Sequence, residues 1–147
     1  MHETVDPDVA DSLDGLIRAI HRDYRVGLNE RGLDLGPPEL QALRFLERNP
    51  GGRLHQLVAE TGRDKAQITR TMRALEDGGL VTRTRDPDDQ RCHRLQLSES
   101  GRETVAIIRE VRSDIEGRLF AELDAGEQRH LASLLQRCLG SLQAAGP

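Results

Sequence analysis

Two short apolar faces separated by a glycine turn constrain this chain most. Leu54, Leu57 and Val58 mark a helix of barely two turns that stops at Gly62, where a left-handed C-cap fits. Ile68, Met72 and Leu75 mark a second helix. Its start is signalled by Asp64 with Gln67 three residues later, the spacing of a capping box, and its end by Gly78-Gly79. Two short helices joined by the tight turn Thr61-Gly62-Arg63-Asp64 have the order of a helix-turn-helix. Next come two short strand-like runs, Val81 to Arg85 and Arg94 to Ser98, separated by a polar Asp-Pro turn, which read as a β-hairpin. Helix, turn, helix and hairpin in that order are the parts of a winged helix-turn-helix.

The flanking segments are amphipathic helices. Val9, Leu13, Leu16, Ile17, Ile20 and Tyr24 recur at helical spacing in the first ~25 residues. Pro37 and Pro38 suit the first turn of a helix carrying Leu40, Leu43 and Leu46, which Asn49-Pro50-Gly51-Gly52 ends. Ser98 caps a long helix striped by Val105, Ile108, Val111, Ile115 and Leu119, which breaks at Asp124-Ala125-Gly126. A last helix carries Leu131, Leu134, Leu135, Cys138, Leu139 and Leu142, a stripe on which Cys138 reads as a small core residue. The expected fold class is mainly α (α+β), a winged helix-turn-helix core with a two-stranded β wing, flanked by N- and C-terminal helices. These end helices hold more apolar stripe than a small winged domain can cover, which argues for a dimerisation domain rather than a four-helix monomer.

The helix over residues 65–77 is where chemistry concentrates. With Ile68, Met72 and Leu75 facing inward, 100° per residue puts Ala66, Arg70, Arg73 and Asp77 outward, with Gln67 and Thr69 on the flanks. Arg, Gln and Thr can pair with guanine and adenine edges and thymine methyls in a major groove, although the same face can be a plain solvated one. The total charge is -4, yet the stretch Arg63 to Arg85 holds six basic against three acidic residues. Lys65 is the only lysine, so the basic residues are otherwise arginines, suited to bidentate contacts. The hairpin tip Asp86 to His93 lacks the alternating oxygen ligands, glycine and distal Glu of a calcium loop. It reads either as a solubilised turn or as a wing in which Asp89 holds the guanidinium of Arg91 for a minor groove.

Other classes lack parts. Aromatics amount to 2%, too few for a single-strand stacking platform. No GxSxG, HExxH, GxxxxGK[ST] or GxGxxG motif is present, so no enzyme is expected and no cofactor. His2, His21, His55, His93 and His130 show no metal-ligand spacing, so no metal is expected. No apolar run approaches a membrane span and the acidic start is unlike a signal peptide, so the expected location is cytoplasmic, with no membrane partner. Cys92 and Cys138 read as reduced thiols, and Cys92, flanked by Arg91, His93 and Arg94, is either an incidental wing cysteine or a redox-active one.

The segment LHQLVAETGRDKAQITRTMRALEDGGLVTRTRDPDDQRCHRLQLSESGR, Leu54 to Arg102, resembles the winged helix core of the MarR family of bacterial transcription regulators. The capped helix, the ending LEDGGLV, the wing pattern Asp89-Gln90-Arg91 and the exit LQLSESGR stand in the family's order. The resemblance implies an N-terminal dimerisation helix over 1–35, a DNA-binding region over 36–98 with its recognition helix near 65–77 and its wing near 81–98, and C-terminal dimerisation helices over 99–147. It implies a homodimer, commonly a repressor, on a pseudo-palindromic operator of double-stranded DNA, released by a small phenolic or anionic effector. Carried over by position, Gln67, Thr69, Arg70 and Arg73 would read bases and phosphates, and Arg91 beside Asp89 would enter the minor groove. Arg53, His55, Arg63 and Lys65 would contact phosphates. The effector cleft would be lined by His21, Tyr24, Arg25 and Phe45. The first helix has no cysteine and the chain no Trp, which removes the marks of the peroxide- and urate-responsive subgroups. A basic face that binds an acidic protein instead of DNA is the other reading of the same residues.

Overall fold

A computed structural model describes residues 4–146. The chain divides into two compact units, one ending at Arg112 and the other starting at Ser113, and each is described by itself.

The first unit opens with α1 (Pro7–Asn29), whose N-terminus is capped by Asp6 Oδ1 accepting from the Asp8 N–H at 2.9 Å. The helix α2 (Pro37–Arg48) starts on the proline pair, and Glu39 Oε2 accepts from the Gly36 N–H at 3.0 Å. It stops where the Asn49 side chain donates back to the Phe45 carbonyl at 2.9 Å. The short α3 (Leu54–Thr61) ends on Gly62 at φ 66°, in the left-handed region a glycine enters without a Cβ penalty. The helix α4 (Lys65–Asp77) is capped by Asp64, whose Oδ1 accepts from the Gln67 N–H at 2.8 Å. Leu80 N–H donates to the Leu75 carbonyl at 2.9 Å, closing α4 with Gly79 at φ 75°.

The hairpin pairs β1 (Val81–Arg85) with β2 (His93–Leu97) antiparallel, Val81 opposite Leu97 and Arg85 opposite His93. The second strand ends one residue before its expected bound because Ser98 leaves the ladder. Its N–H donates to the Leu80 carbonyl at 2.9 Å and its Oγ accepts from the Gly101 N–H at 2.9 Å, which starts α5 (Glu99–Leu119). Leu95 N–H also donates to the Gly52 carbonyl at 2.9 Å, so the α2–α3 connection adds one bridge to the free edge of β2.

One core unites these elements. Leu28, Ala42, Leu43, Phe45, Leu46, Leu57, Ile68, Met72, Leu75, Val81, Leu95, Val105, Ile108 and Val111 are buried. The inward face of α4 is the expected one, extended by the buried Thr71. Burial at ~25 cal/mol per Å² of apolar area makes this layer the main source of stability. In contrast, Val9, Leu13, Leu16, Ile17 and Val26 of α1 remain exposed.

The unit boundary falls within α5, and the second unit adds α6 (Ala125–Ala145). Asp124 and Glu127 exchange backbone N–H bonds, each 2.9 Å, so Asp124 is a capping residue as well as a break. No residue of α6 is buried. Leu134, Leu135, Leu139 and Leu142 are exposed, and so is Cys138, whose placement in a core is not met within one chain.

Candidate nucleic-acid interface

The outward face of α4 carries the side chains expected of it. Lys65, Ala66, Arg70, Arg73 and Asp77 are exposed, and Gln67 and Thr69 are half-buried on the flanks. The Thr69 hydroxyl donates to the Lys65 carbonyl at 2.8 Å, a bond made within the helix itself. Arg63, just before the helix, is held by Gln41, with Nε donating to Oε1 at 2.6 Å. Arg83 on β1 is held by Glu76 at the end of α4, donating from Nη2 at 2.7 Å and from Nε at 3.0 Å to one oxygen. Both arginines are thereby positioned along the edges of α4.

The wing loop is organised by two aspartates. Asp86 is fully buried and accepts from the Asp88 N–H at 3.0 Å through Oδ1. Its Oδ2 accepts from Arg53 Nη2 and lies 3.3 Å from Arg94 Nε. The Asp88 amide, then the neighbouring Arg94 cation, then the charge of Arg53 hold the Asp86 carboxyl below the ordinary aspartate range, against a desolvation that pushes it up. Asp89 Oδ1 accepts from the Arg91 N–H at 3.0 Å, and its Oδ2 faces Cys92 Sγ at 3.6 Å. The expected Asp89 grip on the Arg91 guanidinium is therefore replaced by a grip on the Arg91 main chain. The reason is the Asx turn, which points the carboxylate back along the loop and leaves the Arg91 side chain exposed.

Between α3, α4 and the wing lies a cleft of about 360 Å³. It is lined by apolar Leu54, Val58 and Leu95, by Arg53, His55, Lys65, Arg83, Arg91 and His93, and by Cys92. Among the described residues no group of three or more His, Cys, Asp and Glu is placed to hold a metal ion. No described helix is long and apolar enough to cross a membrane. A second cleft of about 520 Å³ is lined by His21, Tyr24 and Arg25 of α1, Leu40, Gln41 and Arg44 of α2, and the loop between those helices. Phe45, expected there, is instead 2% exposed and lies against Gly52, because its position on α2 is turned to the core.

The profile of the MarR family matches residues 33–91. An HTH-type transcriptional repressor of Mycobacterium bovis is 30% identical over 128 residues, which cover 80% of this chain and 90% of that protein. The chain belongs to the MarR family. The uncharacterized HTH-type transcriptional regulator YdgJ of Bacillus subtilis is 32% identical over 74 residues, but the match spans only 45% of its length and 50% of this chain. Among solved structures, the transcriptional repressor CouR bound to a 23-mer DNA duplex is 25% identical with a TM-score of 0.79, over 93% of this chain and 99% of that one.

Within the MarR frame, the expected site residues fall into three groups. Arg53, His55, Lys65 and Arg91 line the first cleft. Gln67, Thr69, Arg70 and Arg73 lie on the adjoining outward half of α4, and Arg63 at its start. His21, Tyr24 and Arg25 line the second cleft, without Phe45. Sequence reading missed Asp86, Arg94 and Arg83. An Asp ahead of Pro87 at the end of a strand, with arginines nearby, was the available signal for Asp86. Nothing in the sequence says that Arg53, 33 residues upstream, would be its partner.

Proposed function

We propose that this MarR-family chain is a sequence-specific double-stranded DNA-binding transcriptional repressor, acting in the cytoplasm as a homodimer on a pseudo-palindromic operator. The observation that carries the reading is the cleft shared by Lys65 of α4 and Arg91 of the wing, next to a helix face that exposes Arg70 and Arg73 with half-buried Gln67 and Thr69 on its flanks. A helix fits a major groove while a neighbouring wing reaches the flanking minor groove, and arginine is favoured where that groove is narrow. The likeness to CouR, which was solved on a DNA duplex, supports duplex DNA as the partner.

The homodimer follows from the exposed apolar side chains of α1 and α6, which water leaves at a cost and a second copy would cover. Residues 1–35 and 99–147 are accordingly assigned to dimerisation and 36–98 to DNA binding. The cleft of about 520 Å³ is large enough for a small molecule. His21, Arg25 and Arg44 at its wall suit an anionic or phenolic effector that releases the repressor.

Fluorescence anisotropy against a duplex of about 30 base pairs, selected from a random library and set beside a scrambled duplex, tests the reading at ~0.15 M salt. A preference of about 10³ for one pseudo-palindrome is expected. Equal weak binding to both duplexes would replace it with a basic surface for an acidic protein.

A further inference from the structure

We infer that buried Asp86 is a shared counter-charge for two arginines, exchanging Arg53 for Arg94 so that Arg53 is released to a DNA phosphate. The inference rests on the DNA-binding reading above.

Three observations carry it. First, Asp86 has no exposure at all, so its carboxylate cannot lose every cationic partner without a large desolvation cost. Second, Oδ2 has two candidates: Arg53 Nη2 is bonded to it, and Arg94 Nε stands 3.3 Å away. That Arg94 Nε is buried and makes no hydrogen bond. A buried donor without an acceptor is unfavourable, and a small rotation onto Oδ2 would satisfy it once Arg53 leaves. Third, the Arg53 side chain is one third exposed and lines the same cleft as Lys65 and Arg91. Its backbone is fixed by the N–H bond to Gln56 Oε1 at 2.9 Å, so only the side chain has to swing.

In the arrangement seen, both arginines pair with Asp86 Oδ2, Arg53 through a hydrogen bond and Arg94 across 3.3 Å. Opposite a phosphate, Arg53 gains a charged acceptor and Arg94 moves onto the vacated oxygen. Ion pairing of Asp86 is kept throughout. Arg94 thereby acts as a positioning residue: it sets whether Arg53 is free, without touching DNA itself.

Salt dependence of duplex binding tests the exchange, because each phosphate contact contributes about 0.9 to the slope of log K against log salt. The probe is the library-selected duplex of about 30 base pairs, and thermal melting checks that each variant is folded. Arg53→Ala should lower the slope by about 1.8, one phosphate contact in each protomer of the dimer, and Arg94→Ala should lower it equally, because Arg53 then stays on Asp86. In an Asp86→Asn background no carboxylate needs a partner, so Arg94→Ala should leave the slope unchanged. An unaltered slope in Arg53→Ala would overturn the inference, as would an equal Arg94→Ala effect in both backgrounds, which marks Arg94 as a direct phosphate contact. If the wild-type protein shows no salt-dependent duplex binding, and Lys65→Ala changes nothing, the DNA-binding reading itself fails instead.

Discussion

Gly101 lies directly beneath the carbonyl of Leu80: a Cβ built on it would overlap that oxygen and stand 3.4 Å from the Leu97 Cβ. The contact joins the first turn of α5 to the start of the hairpin, at the point where Ser98 N–H donates to the same Leu80 carbonyl at 2.9 Å. Backbone oxygen cannot be displaced as a flexible side chain can, so the helix and the wing are held at one separation.

Gly101→Ala should therefore destabilise the protein, although alanine is the better helix former by about 1 kcal/mol. The clash outweighs that preference, and a net loss of about 2 kcal/mol in urea unfolding is expected, within the usual range for overpacking. Unchanged or raised stability would show that the α5 start can move away from the hairpin.

Arg70 and Lys65 should behave differently on DNA. Arg70 is exposed on the outward face of α4, whereas Lys65 lies at its first turn in the cleft. Arg70→Ala should cost about 1 to 3 kcal/mol at one operator position and relax base preference there, as measured by competition with single-base variants. Lys65→Ala should weaken all duplexes alike. Equal loss on every sequence for Arg70→Ala would remove it from base reading.

Acid should uncouple the wing. Asp86 has its carboxyl lowered from an ordinary value of 3.8 by the Asp88 amide, Arg94 and Arg53. A depressed folded pKa means that the unfolded chain takes up the proton first. The Asp86 contribution is therefore complete above the ordinary aspartate value and declines as pH falls below it toward the lowered one. Thermal melts between about pH 5 and pH 3 should show a steeper acid loss in the wild type than in Asp86→Asn. Parallel curves would mean that Asp86 is not a linked group.

Charge on the exposed apolar faces should separate the subunits of the proposed dimer. Leu16 of α1 and Leu139 of α6 are exposed to 41% and 50% in the single chain. Leu16→Glu with Leu139→Glu should move the protein to half its mass in sedimentation equilibrium while leaving far-UV helicity intact. Binding to a two-half-site duplex should weaken by at least about tenfold, because the second half-site is no longer tethered. A wild-type protein that sediments as a monomer would overturn this assignment.

Most of the secondary structure is legible in the chain because its signals are local. Asp64, Gly62, Ser98 and the Pro37-Pro38 pair each act within a few residues of themselves, through caps and fixed φ angles. The inward face of α4 follows equally from periodicity, since Ile68, Met72 and Leu75 share one side of any α-helix. Resemblance reaches less far: it implied Phe45 at the effector cleft, whereas rotation on α2 turns that side chain against Gly52.

The order of helices and hairpin, the family, and the basic side chains available to the outward face of α4 are all readable from the residues alone. What those side chains do depends on the assembled fold. Arg63 meets Gln41, Arg83 meets Glu76, and Arg53 with Arg94 meets a buried Asp86, pairings made across elements far apart in the chain. Local rules fix where a residue points on its own helix. Which charges are neutralised depends on burial and on the partners that the assembled core brings within hydrogen-bonding distance, and no local pattern encodes that.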